Sequence, residues 1–400
     1  MSGVFSITPG LGNPKKQYLM MALQIGVIWR CYPETRGTTL VSFAGAVAHN
    51  GTETSRVFMT RLAKRMGISK TGAPTLVDVA RESDVSLKTA SRVLNNSKNV
   101  SEEKAIRVRE AMERLDYRPN ELARGLKAQR SAAIGMIVPN LSDPFTANAV
   151  HGLQEVARAN GYAVILASHG GDVDAERSEI RTLVGRQIDG LVIAPADSRK
   201  DTFSDIIPAS VHVVTFDQLI RNVDVDSVTV TNRSSAQEAT EHLAGHGLRR
   251  IVAIGARPYL YTCKERIAGY KAGMKAASLP PRVCLVEHES LLTPEWLAKE
   301  VFRDQRADAI FTLNWVCTML TLRGLRQLRK TAGRDIPLFS FDDFDLADML
   351  TPGLSVVQQP AEMLGREAAR LLFERLKGTG ERSQAVVLPT NLIIRQSCGC

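Results

Sequence analysis

Two periodicities divide this chain. Between Thr75 and Tyr117 apolar positions recur every three or four residues, the spacing of amphipathic helices. Leu76, Val79 and Ala80 share one face of a first short helix, opened by Thr75 with Asp78 three residues on, a capping-box pair. Ser86 is a good N-cap for a second helix, with Ala90, Val93 and Leu94 facing inward. Ser101 opens a third, SEEKAIRVREAMERL, with acidic residues in the first turn where the helix dipole favours them. Ala105, Val108, Met112 and Leu115 form its apolar stripe. Three helices of this size predict a small bundle with a thin core. YRPNELARGLKAQR (Tyr117–Arg130) follows: Pro119 fixes the chain and Asn120 can cap one or two turns through Leu126. With little apolar surface to bury, that segment is expected to be marginal as an isolated helix.

From Ala132 the pattern changes. AIGMIV, AVILA, GLVIA and VHVVTF, then VTVT, RIVAIG, RVCLVE, DAIFTL and PLFSF, are short apolar runs separated by amphipathic stretches of helix length. This alternation predicts parallel sheets with helices on both faces. Nine or more strands exceed one comfortable sheet, so two α/β lobes are expected, with ligand in a crevice at the carboxyl ends of the strands. No internal repeat is visible. Residues 1–58 show no sustained periodicity and read as an extension upstream of the folded chain, with Met59 and Met66 as alternative starts.

Composition sharpens the division. The formal net charge is +9 over 400 residues, but residues 56–130 hold seventeen Lys and Arg against nine Asp and Glu. That block carries nearly all the excess, the electrostatic footprint of a polyanion-binding segment rather than of a merely solvated surface. Cys31, Cys263, Cys284, Cys317, Cys398 and Cys400 are scattered, with no zinc-like double Cys-x-x-C spacing, and suit a reducing cytoplasm. The closing CGC reads as a frayed tail rather than a metal ligand set, so no metal and no cofactor is expected. No run approaches ~18 uninterrupted apolar residues, so no transmembrane helix and no membrane partner is expected. KKQYLMMALQIGVIW (Lys15–Trp29) imitates a signal peptide, but Gln24 interrupts it and no small-x-small cleavage site follows. There is no G-x-S-x-G, P-loop or H-E-x-x-H, and the adjacent Asp342 and Asp343 point apart on a strand, so an enzyme is not expected.

Several linked motifs, in order, resemble the lactose-repressor family of bacterial transcription regulators, from about Pro74 to Cys400. They are TLVDVARESDVSLKTASRVLNN, VSEEKAIRVREAMERLDYRPNELARGL, IGMIVPNLSDPF, DGLVIAP, RIAGYKAGM, FSFDDFDLADMLTPGLSVVQQP and LPTNLIIRQSCG. The resemblance implies an all-α helix-turn-helix headpiece (74–117), a hinge helix (118–131) and an α/β two-lobe core of periplasmic-binding-protein type I (132–400), after an unstructured extension over 1–73. The first lobe is expected at about 132–231 plus 358–384 and the second at about 232–357 plus 385–400. Function follows as an expectation: a cytoplasmic, nucleoid-associated repressor, homodimeric or tetrameric, that binds a palindromic operator in double-stranded DNA under the control of a sugar or related metabolite. A secreted or periplasmic solute-binding protein on the same core is the other reading.

The resemblance also nominates residues. The second helix of a helix-turn-helix lies in the major groove with its first residues at base edges. Here these are Leu87, Lys88 and Arg92, with Ser86, Thr89 and Ser91 suited to phosphates. Leu126 matches the leucine wedged into the minor groove, with Ala123 small enough for close approach and Asn120, Arg124 and Lys127 within reach of the backbone or groove edges. Asp143, Phe145 and Thr146 in the loop after the first core strand, with Asp217, Arg266, Asn314, Trp315 and Asp342, are expected to line the effector cleft. Each has a plainer reading: a solvated helix face for Lys88 and Arg92, a Pro-capped linker for the hinge, surface ion pairs for Arg266 and Asp342, core for Trp315. Asp84 and Asp116 stand where relatives have glycine, and aspartate is among the few residues that tolerate a left-handed backbone. Trp315 stands where many relatives have an acidic or amide residue, which leaves the ligand's identity open.

Overall fold

Local capping chemistry shapes the helical part. The computed structural model describes residues 4–6, 29–32, 40–43, 74–94, 99–117, 131–379 and 382–400, and the chain divides into two units between Asn120 and Glu121. In the first unit Thr75 opens α1 (Leu76–Glu82): Asp78 N donates to Thr75 Oγ1 at 3.4 Å and Thr75 N to Asp78 Oδ2 at 3.0 Å. Helix α2 (Leu87–Leu94) and helix α3 (Glu102–Arg114) follow. Val79, Ala80, Ala90, Val93, Ala105, Val108 and Ala111 make the buried core. Met112 and Leu115, expected in the stripe of α3, pack at its edge. Alanine at the helix contacts lets three short helices approach closely, at the cost of little apolar area.

Both aspartates at glycine positions adopt the left-handed backbone, Asp84 at φ 52° and Asp116 at φ 46°. Each follows a helix end and turns the next amide back onto it: Val85 N donates to Ala80 O at 3.0 Å and Tyr117 N to Met112 O at 2.8 Å. Within 1–73, expected to lack regular structure, three short strands pair antiparallel in the order β1, β3, β2: β1 (Val4–Ser6), β2 (Trp29–Tyr32) and β3 (Leu40–Phe43). Their runs VFS, WRCY and LVSF are rich in β-branched and aromatic residues but too short to show an alternating pattern. The hinge positions Asn120, Ala123, Arg124, Leu126 and Lys127 lie outside the described residues.

The second unit is two sheets, one per lobe. The first has the order β14-β8-β7-β6-β4-β5, every pairing parallel, from β4 (Ala133–Val138), β5 (Ala163–Ser168), β6 (Gly190–Ile193), β7 (His212–Phe216), β8 (Asp226–Val230) and β14 (Ala385–Leu388). It is flanked by α4 (Pro144–Ala159), α5 (Val173–Gly185) and α10 (Ala361–Leu376). The second has the order β10-β9-β11-β12-β13-β15, from β9 (Ile251–Ala256), β10 (Arg282–Val286), β11 (Ala309–Thr312), β12 (Leu338–Phe341), β13 (Ser355–Gln358) and the antiparallel β15 (Asn391–Ile393). Its helices are α6 (Asn232–Gly245), α7 (Tyr261–Ala276), the turn α8 (Pro294–Trp296), which runs into a π-helical stretch Leu297–Asp304, and α9 (Trp315–Gln327). Among the described residues no helix is long and apolar enough to cross a membrane.

Three strand connections pass between the lobes, after β8, β13 and β14. The first two leave the ends of β8 at Val230 and β13 at Gln358. The third is a correction: residues 385–388 belong to the first lobe, not the second, because Val386 pairs with Val228 and Leu388 with Val230. Pro389 and Thr390 separate this edge strand from β15. The crossings are tied together, Thr231 N to Leu388 O at 3.0 Å and Thr390 N to Thr231 Oγ1 at 3.2 Å.

Glycine allows one close helix pair in each lobe. A Cβ on Gly365 of α10 would collide with the Ala149 carbonyl of α4, and one on Gly269 of α7 with the Arg233 carbonyl of α6. Gly365→Ala is therefore expected to lower stability by about 1–3 kcal/mol, read as a shifted urea midpoint. Gly185→Ala, with nothing within 4 Å of the added Cβ, is the neutral or slightly stabilising control.

Candidate functional site

The headpiece presents a small exposed face at the start of α2. Ser86 is the cap, accepting from Thr89 N at 3.1 Å and sharing a hydrogen bond with Thr89 Oγ1 at 2.9 Å. Both hydroxyls are therefore engaged with each other, and Ser91 is half-buried. Leu87, Lys88 and Arg92 are exposed, and neither cation makes an ion pair among the described residues. Leu87 is 49% exposed, comparable to Val77 and Ile106 elsewhere in the bundle. Two cations and one apolar side chain on one turn of a capped helix can meet phosphates, base-edge acceptors and a thymine methyl.

In the core, matching positions of the two sheets supply the cleft. Asp217 directly follows β7 and Asp342 directly follows β12, both in the left-handed region, at φ 60° and φ 81°. Asp143 caps α4, accepting from Phe145 N at 3.0 Å, and Asn314 caps α9, accepting from Cys317 N at 2.7 Å. Between them lies Arg266 of α7, only 3% exposed. Its Nε donates to Asn232 Oδ1 at 2.8 Å, its Nη1 to the Leu313 carbonyl at 2.7 Å, and its carbon Cζ sits 3.7 Å from the centre of the Phe341 ring. Asp342 Oδ2 is 4.0 Å from Nη1 and accepts from Trp315 N at 2.9 Å, while Gln359 donates to Oδ1. Arg266 is thus no surface ion pair. Its Nη2 has no protein partner among the described residues.

Charge is unbalanced here, with three carboxylates facing one guanidinium. Burial, reinforced by the Asp342 charge, pushes the Asp143 carboxyl up to about 7. Burial raises Asp217 to about 6, with Arg266 opposing and Asp342 adding to the rise. Trp315 and Gln359, whose backbone amide and side-chain amide reach Asp342, each keep one buried side-chain atom without a partner among the described residues, Nε1 and Oε1. Several carboxylates within reach of one guanidinium suit a ligand with hydroxyls, which both donate and accept. A cavity of about 220 Å³, open to solvent, adjoins the cluster, lined by Phe145 and Asn148 of the first lobe, Asp342 to Asp345 and Asp348 of the second, and Gln358 and Gln359 where the chain crosses between them. Asp343 points away from Asp342, to Arg395 at 3.2 Å and Gln358 at 3.1 Å, so the adjacent pair is not a paired acid site.

The structure brings Asp143, Asp217, Arg266 and Asp342 within electrostatic reach of one another, with the Trp315 amide on Asp342. Phe145 lines the cavity; Thr146 is buried in the first turn of α4; Asn314 uses its side chain as a helix cap. Sequence reasoning missed Gln359, Asn232 and the contacts that bridge the lobes. Arg257 Nη1 donates to Gly171 O at 2.9 Å, Tyr261 N to Ser198 Oγ at 2.9 Å, and Gln218 Nε2 to Thr262 Oγ1 at 2.7 Å. Gln359 lies in the quoted SVVQQP run and could have been read from it. The bridges join residues far apart in sequence, and no local pattern marks them.

Comparison with known proteins places these features in a family. The profile described as "Bacterial regulatory proteins, lacI family" matches residues 75–120, and "Periplasmic binding protein-like domain" matches residues 240–398. Catabolite control protein A of Streptococcus mutans is 30% identical over 316 residues, 78% of this chain and 95% of that protein. The crystal structure of a putative ribose operon repressor from Burkholderia thailandensis is 30% identical and superposes with a TM-score of 0.60 over 66% of this chain and 99% of that one. A lac repressor dimer bound to operator and an anti-inducer has the same fold, with a TM-score of 0.71 at 21% identity over 82% of this chain and 99% of that one. The matched relatives are transcription regulators, not enzymes. The chain belongs to the lactose-repressor family of bacterial regulatory proteins: it is a DNA-binding transcription regulator with an effector-binding core.

Proposed function

We propose that this protein is a repressor that binds a palindromic operator as a homodimer and answers to a neutral sugar or related polyhydroxyl metabolite in the cytoplasm. The observation that carries the reading is the exposed tip Leu87-Lys88 with Arg92 on a helix that is already capped from within. Arg92 has the planar fork for guanine O6 and N7, Lys88 a single mobile charge for the same acceptors, and Leu87 the apolar contact. Ser86, Thr89 and Ser91 set the register on phosphates in this reading. In the hinge, Leu126 is the wedge, Ala123 permits close approach, and Asn120, Arg124 and Lys127 hold the backbone. A solute-binding protein would have no use for that helix or for the basic block around it.

The cleft reads the effector by its hydroxyls. One hydroxyl can accept from Arg266 Nη2 while donating to Asp342 or Asp143, and Trp315 Nε1 supplies a further donor. An anionic ligand would face three carboxylates against one cation. Ligand held between the lobes changes the balance of the bridges at Arg257, Tyr261 and Gln218, and so the relation of the lobes. By linkage, operator binding alters effector affinity by the same factor that effector alters operator affinity, commonly about 5- to 150-fold.

Three outcomes test this reading. In operator sequences selected from a random pool, Lys88→Ala and Arg92→Ala each reduce discrimination against scrambled DNA by about 10- to 100-fold, measured by fluorescence anisotropy at fixed salt. Retained preference in the combined Leu87→Ala, Lys88→Ala, Arg92→Ala variant would remove the assignment. A thermal-shift screen of neutral sugars and polyols finds a stabiliser, worth about 2.7 kcal/mol at a hundredfold excess over Kd. The shift is lost in Arg266→Lys and Asp342→Asn, and a full shift in both would displace the cleft.

The third concerns pH. The unfolded chain releases the Asp143 and Asp217 protons near the ordinary value of 3.8, whereas the folded state keeps them to about 7 and about 6. Their favourable contribution is therefore complete below pH 3.8 and lost as pH rises through that window. Asparagine caps helices as well as aspartate. Asp143→Asn should accordingly raise Tm relative to the parent at pH 8 and have a smaller effect at pH 4; an equal difference at both would contradict the buried-carboxyl account.

A further inference from the structure

The closing CGC is not a frayed tail. Ser397 Oγ donates to the Leu338 carbonyl of β12 at 2.6 Å and accepts from Ser355 N of β13 at 2.8 Å. This plants Cys398 in the core of the second lobe with no solvent exposure, beside Phe339 and Ala239. Gly399, at φ 92°, then reverses the chain, so that Cys400 returns beside Cys398 with the two sulfurs 2.7 Å apart. Opposite them the last turn of α6 and its C-cap present His242 and His246, four residues apart, their rings 4.7 Å between centres. Cys400 Sγ is 3.4 Å from His242 Nε2 and 3.2 Å from His246 Nε2. All four donor atoms lie within 4.8 Å of one another.

We propose that His242, His246, Cys398 and Cys400 form a structural zinc site that fastens the segment after β15 to α6. The donor set is two sulfurs and two imidazole nitrogens, the Cys₂His₂ combination that zinc takes in closed four-coordinate sites. It contains no carboxylate, which argues against calcium or magnesium. Ligand atoms at ~2.0–2.3 Å from a tetrahedral ion stand about 3.3–3.8 Å apart, so the nitrogen–sulfur separations need little change and the sulfurs must part by about 1 Å. Cys400 and His246 are exposed and free to make that adjustment, while Cys398 is fixed by the core. On binding, each thiol releases its proton to solvent and ligates as thiolate, and each neutral imidazole offers its Nε2 lone pair. All four positions are filled by this chain, so the ion has no open site for catalysis. Its effect is mechanical: the turn that carries Ser397 joins β12 to β13, and β12 leads directly into Asp342.

The test uses the full-length chain, free of any histidine tag, reduced and then stripped of metal with a chelator. Zinc alone should then bind at one ion per chain and raise Tm. Cobalt(II) should give the intense visible bands of a tetrahedral ion with a thiolate-to-metal charge-transfer band. His246→Ala and Cys400→Ser, both at exposed positions, should retain the metal-free Tm and circular dichroism of the parent and lose the zinc-induced shift and the cobalt bands. Four results would overturn the proposal: no stoichiometric zinc in the reduced parent, unchanged zinc binding in both variants, a six-coordinate cobalt spectrum without sulfur ligation, or a Cys398–Cys400 disulfide that is itself the stable form and re-forms in the presence of zinc.

Discussion

A guanidinium 3% exposed needs partners, and the second unit supplies them to Arg266 at Nε, at Nη1 and on the face of its plane. Asn232 comes from the start of α6, Leu313 from the end of β11, Phe341 from β12 and Asp342 from just beyond it. These four positions fix α7 against the carboxyl edge of the second sheet. Asp342 accepts a backbone amide from Trp315 and an amide from Gln359, so the same carboxylate ties the start of α9 to a connection between the lobes. Removing the charge would strand these acceptors in a dry place, where the loss of one partner exceeds what the pair contributes.

The surplus of acid around that cation is costly to the isolated protein. Asp217 and Asp342 hold left-handed backbones just past strand ends, a conformation that costs of order 1–3 kcal/mol for a residue other than glycine. Asp143 and Asp217 keep their protons far above the ordinary range because burial disfavours the charged form. Backbone strain and raised carboxyl pKa values cluster at functional sites, and both meet in this one group of side chains. The headpiece follows the opposite rule. Its helix ends are satisfied internally, by the Thr75–Asp78 box and by Ser86, so that Lys88 and Arg92 have no competing duty.

Much of this was legible before any coordinates. Period and capping residues located α1, α2 and α3, and the runs from AIGMIV to PLFSF located β4 to β12 of the core but not β13, β14 or β15. Asp84 and Asp116 stand where the family resemblance implies glycine, a place that aspartate tolerates, and both have positive φ. What escaped had weak or misleading local signals. VFS, WRCY and LVSF are too short to alternate; AVVL and LII flank Pro389 with nothing local to assign each to a different sheet; and Gln359 is a polar residue before a proline with no local mark of its role. In the cleft, residue type and motif pointed to Asp143, Asp217, Arg266 and Asp342, but not to Asn232, which meets Arg266 across 34 positions of sequence.

Local interactions are written directly in the order of side chains, and so the chain alone determined its helices, strands, turns, basic block and family. Contacts between distant segments depend on how sheets and helices pack, and so only folding decided which polar groups would be left for a ligand. Folding settled that Asn314 would serve as a cap, that Arg266 would be buried rather than paired at the surface, and that β14 would cross to the first lobe. It also brought an unremarkable His-x-x-x-His at the end of α6 to a Cys-Gly-Cys more than 150 residues away. Neither motif predicts the other, because their meeting depends on Ser397 anchoring the last turn to β12 and β13.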